Sequence, residues 1–469
     1  MPRASAGTTP PPASCACSAT SSERPAEFMR DYLVFAMVMA TLPYILKRPA
    51  AGVMAYVWLS LMNPHRLTYG FAYDFPFAAL VAGTTLVSLM LSKQPKRFPL
   101  QSTTVVLMMF IFWITFTCFF GLQPKLVWGE WNTVIKTMFM VLVSMAALNT
   151  ERDARDFAWV IGLSLGFWGV KGGVFTLLSG GGDHVYGPPD SFIADNNDLA
   201  LALLTVLPLL WGLHMQATRR WVRLAMLAVC ILTVVSVVGS YSRGALLGGG
   251  VMLTMLWLKS RKKLTTGLIV LLLIPLVYTV MPDQWFARMS TIDSYNKDAS
   301  ALGRINAWHF AVNVATHHVL GGGFKVFSPE IFYLYAPNPL DFHVAHSIYF
   351  QALGEQGPVG LLLFLVLMWC TWRCGGRIIR YCKGRPELKW AGDLAAMAQV
   401  SVVGYAVGGA FLSLTYFDLY YYIIVLLVVL EKCVVKAGPS PYAAMAPRTY
   451  EAHDPHQAPA ADAAPERRP

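Results

Sequence analysis

Apolar blocks of membrane length recur along almost the whole chain, and no other feature limits its fold so severely. A bilayer core is ~30 Å thick, so a crossing helix needs ~20 largely apolar residues. Such blocks lie at about 32–45, 53–62, 75–91, 105–121, 134–148, 157–178, 199–215, 222–239, 246–258, 264–281, 348–372, 395–414 and 419–434. The first two are short enough to form a tilted or interfacial pair, which gives about 12 to 13 spans. Inside lipid every backbone polar group must be satisfied within its own segment, so these blocks are expected as helices. The composition agrees: 55% of residues are hydrophobic and only 13% charged, too apolar for a soluble chain of 469 residues. The expected fold is an all-α polytopic membrane protein.

A formal charge of +11 could point to nucleic acid, but its distribution points elsewhere. Basic clusters recur in alternate loops, at Lys47-Arg48, Lys93 to Arg97, Arg152 and Arg155, Arg219 to Arg223, Lys259 to Lys263 and Arg373 to Arg385. The intervening loops are poorer in Lys and Arg. This is the positive-inside pattern, and it places 179–197, 240–244, 282–347 and 413–418 together on the outer face of the membrane. Nucleic-acid contact is not expected; the membrane lipids are the surroundings. None of the eight cysteines falls in 282–347, so no disulfide framework supports that segment.

The chain divides into a disordered tail at 1–28, a first transmembrane part at 29–281, an outer loop at 282–347, a last transmembrane part at 348–436 and a second disordered tail at 437–469. Residues 1–28 lack the apolar run of a signal peptide. The outer loop is too long to be a bare connection and should fold. Its middle has helical spacing, with Ser300 as N-cap behind Asp298 and Gly321-Gly322-Gly323 as a stop after Leu320. That helix should lie on the membrane face and present Arg304 near its start. The stretch 328–343 is expected as an ordered loop over an opening.

The chemistry-bearing residues gather on this outer face. His346 lies where the loop becomes a span beginning at Ser347, and the positive end of that helix disfavours imidazolium. A neutral His beside a bound hydroxyl is a general base; a helix-end cap is the plainer alternative. His343 and His346, three apart, lack an evident third ligand, so no metal site is expected. Arg243, in a short turn poor in other cations, has the fork geometry for phosphate. Arg304 at a helix start and Arg288 on the same face add to an anion site. Snorkelling, or ion pairs with Asp195 or Asp198, is the plainer reading of either Arg243 or Arg304 alone. Lys136 and Lys171 lie within spans, about two turns or fewer from the outer end, with Lys171 the better cavity-lining candidate. Asp195-Asn196-Asn197-Asp198 opens a span, with Asp195 best read as a cap. Glu355 falls on the far face of a straight helix from His346, unless Gly354, Gly357 and Pro358 kink it.

These residues resemble the O-antigen ligase branch of the Wzy/O-antigen ligase/O-oligosaccharyltransferase superfamily. The match is His346-Ser347, nine residues, Gly357, two residues, Gly360, with Arg243 and Arg304 in the expected order. The stretches beginning Asn63-Pro64-His65-Arg66 and Gly187-Pro188-Pro189-Asp190 resemble a subgroup of O-glycosylation ligases. The resemblance implies a multispanning, GT-C-like, inverting glycosyltransferase that needs no metal or cofactor. It implies transfer of a glycan from an undecaprenyl-pyrophosphate-linked donor to a lipid A–core acceptor on the periplasmic face. His346 would be the base; Arg243, Arg304, Arg288 and Lys171 would hold pyrophosphate. Asn197, Asp198, Tyr349 and His343 would line the acceptor pocket. A protein O-oligosaccharyltransferase and an O-antigen polymerase use the same chemistry. A secondary transporter, the alternative of another class, should show matched halves, which the sequence lacks.

Overall fold

The computed structural model describes residues 24–93, 98–259, 281–290 and 299–436, with isolated residues between 263 and 279. Among these residues the regular elements are helical. The first nine are α1 (Arg24–Lys47), α2 (Pro49–Met62), α3 (Phe77–Leu91), α4 (Ser102–Thr117), α5 (Pro124–Ala147), α6 (Glu151–Leu178), α7 (Asn196–Gln216), α8 (Arg220–Gly239) and α9 (Arg243–Lys259). Three short or intermediate helices follow, α10 (Asp283–Ser290), α11 (Ala299–His317) and α12 (Pro329–Tyr335). The chain then returns through α13 (Ile348–Cys382), α14 (Lys389–Gly408) and α15 (Asp418–Lys436). Seven helices among the described residues are long and apolar enough to cross a membrane, and three apolar helices are shorter. Together with the charged α5 and α15, they account for every expected block except 264–281, which lies largely outside the described residues.

The centre of the bundle is α15. Residues Leu419 to Leu430 are fully buried, which is what a helix apolar on every face requires. It packs on α5, α6, α13 and α14. Its charges are confined to its ends. Glu431 accepts from Arg377 at 2.6 and 2.9 Å, and Lys432 donates to Asn149. At that same end Arg48 pairs with Asp153 at 2.6 Å, and the Arg155 guanidinium lies 3.9 Å from the Trp390 ring centroid. The basic loops at 47–48, 152–155 and 373–385 therefore share one end of the bundle.

The segments expected on the outer face meet at the other end. Val185 N donates to Gly239 O at 3.3 Å, Tyr241 Oη to Gly181 O at 2.5 Å, and His346 N to Ser413 Oγ at 2.8 Å. A kink in α13 organises this end. Gly357 has φ 68° and ψ −177°, and Pro358 has no N–H, so the carbonyls of residues 354–356 lose their helical donors. Gly322 N donates to Gly354 O at 2.8 Å, Gly323 N to Glu355 O at 2.8 Å, and Trp113 Nε1 to Gln356 O at 2.9 Å. A Cβ on Gly321 would stand 2.4 Å from Gly357 N, so this backbone-on-backbone strap requires glycine.

Four expectations are corrected. Helix α1 begins at Arg24, inside the segment 1–28 expected as a tail, of which 1–23 lie outside the described residues; Pro25 sits in its first turn, where a missing N–H removes no helical bond. Helix α5 begins at Pro124, ten residues before the expected block at Val134, so Lys136 is mid-helix rather than near an end. Its early turns carry charge because Glu130 pairs with Lys325 at 3.0 Å. Helix α11 is already formed at Ala299 and ends at His317, so Ser300 is not its cap, Arg304 lies beyond the first turn, and the glycines serve the strap rather than the stop. The loop expected at 328–343 contains α12, for which Ser328 is the N-cap, accepting from Ile331 N, with Pro329 next. Asp298, placed before the α11 cap, lies outside the described residues.

Candidate active site

His346 sits at the mouth of this end, partly buried, immediately before the N-cap Ser347 of α13. Its φ of 40° is in the left-handed region, where side chains other than Gly, Asn, Asp and His are rare. The Ser413 hydroxyl accepts its N–H and holds that conformation. Burial first, then the positive charge of Arg304, lowers the His346 pKa to about 4; Asp195 pulls it the other way. Its imidazole is therefore neutral at ordinary pH.

Arg304 is carried by α11, which packs Ala307, Phe310 and Val314 against Val326 and Phe332. Trp308 ties α11 to the His346 segment: its Nε1 donates to Ala345 O at 2.9 Å and its ring stacks on Phe350 at 4.9 Å. His343 lies against Gly303, where a Cβ would meet the ring at 2.4 Å, and its Nδ1 is 3.3 Å from Asp341. His343 and Arg304 both act electrostatically on His346.

Arg243 opens α9, two residues after Tyr241, which has φ 58°. Arg288 on α10 reaches the same turn, with its Nε donating to Tyr241 O at 3.2 Å, and Trp285 Nε1 donates to Val238 O at 3.0 Å. His184 stacks on Tyr241 at 4.4 Å; burial, followed by the Arg288 charge, lowers its pKa. This turn adjoins the His346 cluster. Phe411 packs where a Gly244 Cβ would be, two residues from Ser413, and Asn196 Nδ2 donates to Ser240 O at 2.6 Å. Asp195 acts electrostatically on both His184 and His346.

Other candidates fall differently. Asp195 is the N-cap of α7, accepting from Asn197 N at 2.8 Å, and Asn197 Nδ2 donates back to Asp195 at 3.0 Å. Asp198 follows in the first turn. The Tyr349 hydroxyl donates to Ala406 O at 2.7 Å, joining α13 to α14. Glu355 is buried near Tyr416 and Gln351, remote in helical phase from His346; the kink lies beyond it and does not bring it round. Lys171 lines a separate depression with Arg30 and Arg66, away from His346. Among the described residues no three His, Cys, Asp or Glu side chains gather as a metal site. Sequence reasoning missed Ser413 as the holder of His346, because the pairing spans 67 residues, and missed the second role of Asp195.

The fold and this end together describe a polytopic helical membrane protein with arginines and a neutral histidine gathered at one end. Residues 227–365 match the O-antigen ligase family, which places the segment holding Arg243, Arg288, Arg304 and His346 in the O-antigen ligase superfamily. Residues 29–218 match a family of unknown function, DUF5935. Among the curated proteins there is no match.

Proposed function

We propose that the protein is an O-antigen ligase. It transfers a glycan from an undecaprenyl-pyrophosphate-linked donor to a hydroxyl of lipid A–core at the periplasmic face of the inner membrane. The observation that carries the reading is the neutral His346 imidazole beside Arg304, with the Arg243 and Arg288 turn adjoining it. The acceptor oxygen attacks the anomeric carbon from the side opposite the pyrophosphate, and the C–O bond to pyrophosphate breaks with inversion. The electron pair leaves on pyrophosphate, where Arg243, Arg304 and Arg288 offset the charge, and the acceptor proton passes to His346. In this scheme side chains fill each of these roles.

Pyrophosphate close to His346 would also raise its pKa from about 4, so donor binding would make it a stronger base when it is needed. The test is transfer by the purified chain from a lipid-pyrophosphate glycan to three acceptors offered separately: lipid A–core, a pilin-like protein and a second lipid-linked glycan. Product on lipid A–core alone is expected. Product only on protein would make it an O-oligosaccharyltransferase, and extension of the lipid-linked glycan would make it a polymerase.

A further inference from the structure

The depression containing Lys171 is not explained by glycan transfer. Its polar part, about 540 Å³, is lined by Arg30, Arg66, Lys171, Tyr69 and Tyr73. It shares Arg30, Leu67, Thr68 and Lys171 with an apolar part of about 360 Å³, so the two adjoin. The apolar part follows a single stripe of α1: Arg30, Leu33, Val34 and Met37 are spaced i, i+3, i+4, i+7, facing Trp58 and Met62 of α2. The cavity is thus cationic at its mouth and greasy along its length.

The charges at the mouth are only partly balanced. Arg66 pairs with Asp74 at 3.4 Å and Asp190 at 3.9 Å, both on the exposed rim. Arg30 and Lys171 have no carboxylate partner among the described residues. Asp31, next to Arg30, instead accepts from Gly70 N and Ala72 N. Lys171 lies two turns inside α6, 4.6 Å from the Trp168 ring centroid, and Arg30 is a like charge acting on it. Two cations facing one cavity at membrane depth repel each other unless an anion lies between them.

We infer that this cavity binds an anionic phospholipid, with its headgroup on Arg30, Arg66 and Lys171 and an acyl chain along the Leu33–Met37 stripe. The exposed Tyr69 and the Tyr73 ring at the mouth suit the headgroup level of a bilayer. The site stands apart from His346 and does not depend on the transferase reading.

The test is binding by the purified full chain of short-chain phosphatidylglycerol, phosphatidylcholine of equal chain length, and inorganic phosphate. Phosphatidylglycerol should bind more tightly than phosphatidylcholine. Each cation near a membrane surface contributes about 1 kcal/mol, so the pair Arg30→Gln with Lys171→Gln should weaken phosphatidylglycerol roughly 30-fold. The charge-keeping pair Arg30→Lys with Lys171→Arg should retain binding, separating charge from folding. Leu33→Trp, which fills the apolar part, should weaken the lipid and leave inorganic phosphate unaffected. Equal binding of both lipids, or wild-type phosphatidylglycerol affinity in the Gln pair, would overturn the site. Inorganic phosphate binding as tightly as lipid, with no effect of Leu33→Trp, would overturn the lipid assignment.

Discussion

At His346 the backbone is as specialised as the ring. Its φ of 40° is held by Ser413, and alanine disfavours that region by about 1 kcal/mol or more, whereas asparagine tolerates it. His346→Asn therefore isolates the ring chemistry better than His346→Ala. Single-turnover transfer at saturating donor should fall ~10²–10⁴-fold in His346→Asn, with donor binding retained. Comparable turnover would reduce this histidine to a helix-end residue. Arg304→Lys keeps the charge but loses the planar fork, so weaker donor binding together with slower transfer is expected, measured on the same preparation. The pH profile supplies a separate check. A depressed pKa means the base form persists down to about 4, so kcat/KM should rise with pH through about 4 and then level. Arg304→Gln removes a cation that opposes protonation, so any surviving rate should show that limb at higher pH. A limb unmoved by Arg304→Gln would mean that burial alone sets the imidazole. The same shift bears on stability: His346 contributes most above its unfolded value near 6.5, and that contribution is lost as pH falls toward 4.

At the scale of elements, the α13 kink and the glycine strap stand or fall together. A Cβ at Gly357 would lie 2.3 Å from Val319 O, in a backbone region open essentially to glycine alone. Gly357→Ala should cost at least ~1–3 kcal/mol and unseat the strap, lowering the melting temperature and transfer together. Gly129→Ala, where a Cβ meets nothing within 4 Å, is the control expected to melt as wild type. The spaced Gly357 and Gly360 were legible as a motif, but their reason was not. For Gly357 it lies in the strap of Gly321, Gly322 and Gly323, some thirty-five residues away, which sequence reads as a simple helix stop; for Gly360 it lies in Trp113, whose Nε1 a Cβ would meet at 3.2 Å. Local signals succeeded where partners were local, as with the Asp195 cap. They failed where a distant partner moved a boundary, as when Lys325 lets α5 start with charged turns. Helix α12 escaped because about two turns rich in aromatic residues look like a loop, although Ser328-Pro329 marked its start.

At the scale of the whole molecule, the alternation of basic loops foretold which segments share an end, and the contacts at each end agree with it. Hydropathy and charge are properties of each loop alone, so this level needed no tertiary knowledge. The placement of Lys171 did, because its neighbours come from α1 and the turn after α2. Which end faces out in the cell is the remaining proposal, and labelling in intact cells decides it. In a cysteine-free background, a single cysteine at Tyr186, exposed at the His346 end, should react with a membrane-impermeant maleimide. A single cysteine at Arg152, 79% exposed at the basic end, should react only after the membrane is opened. The reverse pattern would put His346 on the cytoplasmic side, where lipid A–core carrying a finished glycan is not the expected meeting point, and would remove the ligase reading together with the topology. Equal labelling of both before permeabilisation would show mixed insertion, which the steep charge bias between the two ends argues against.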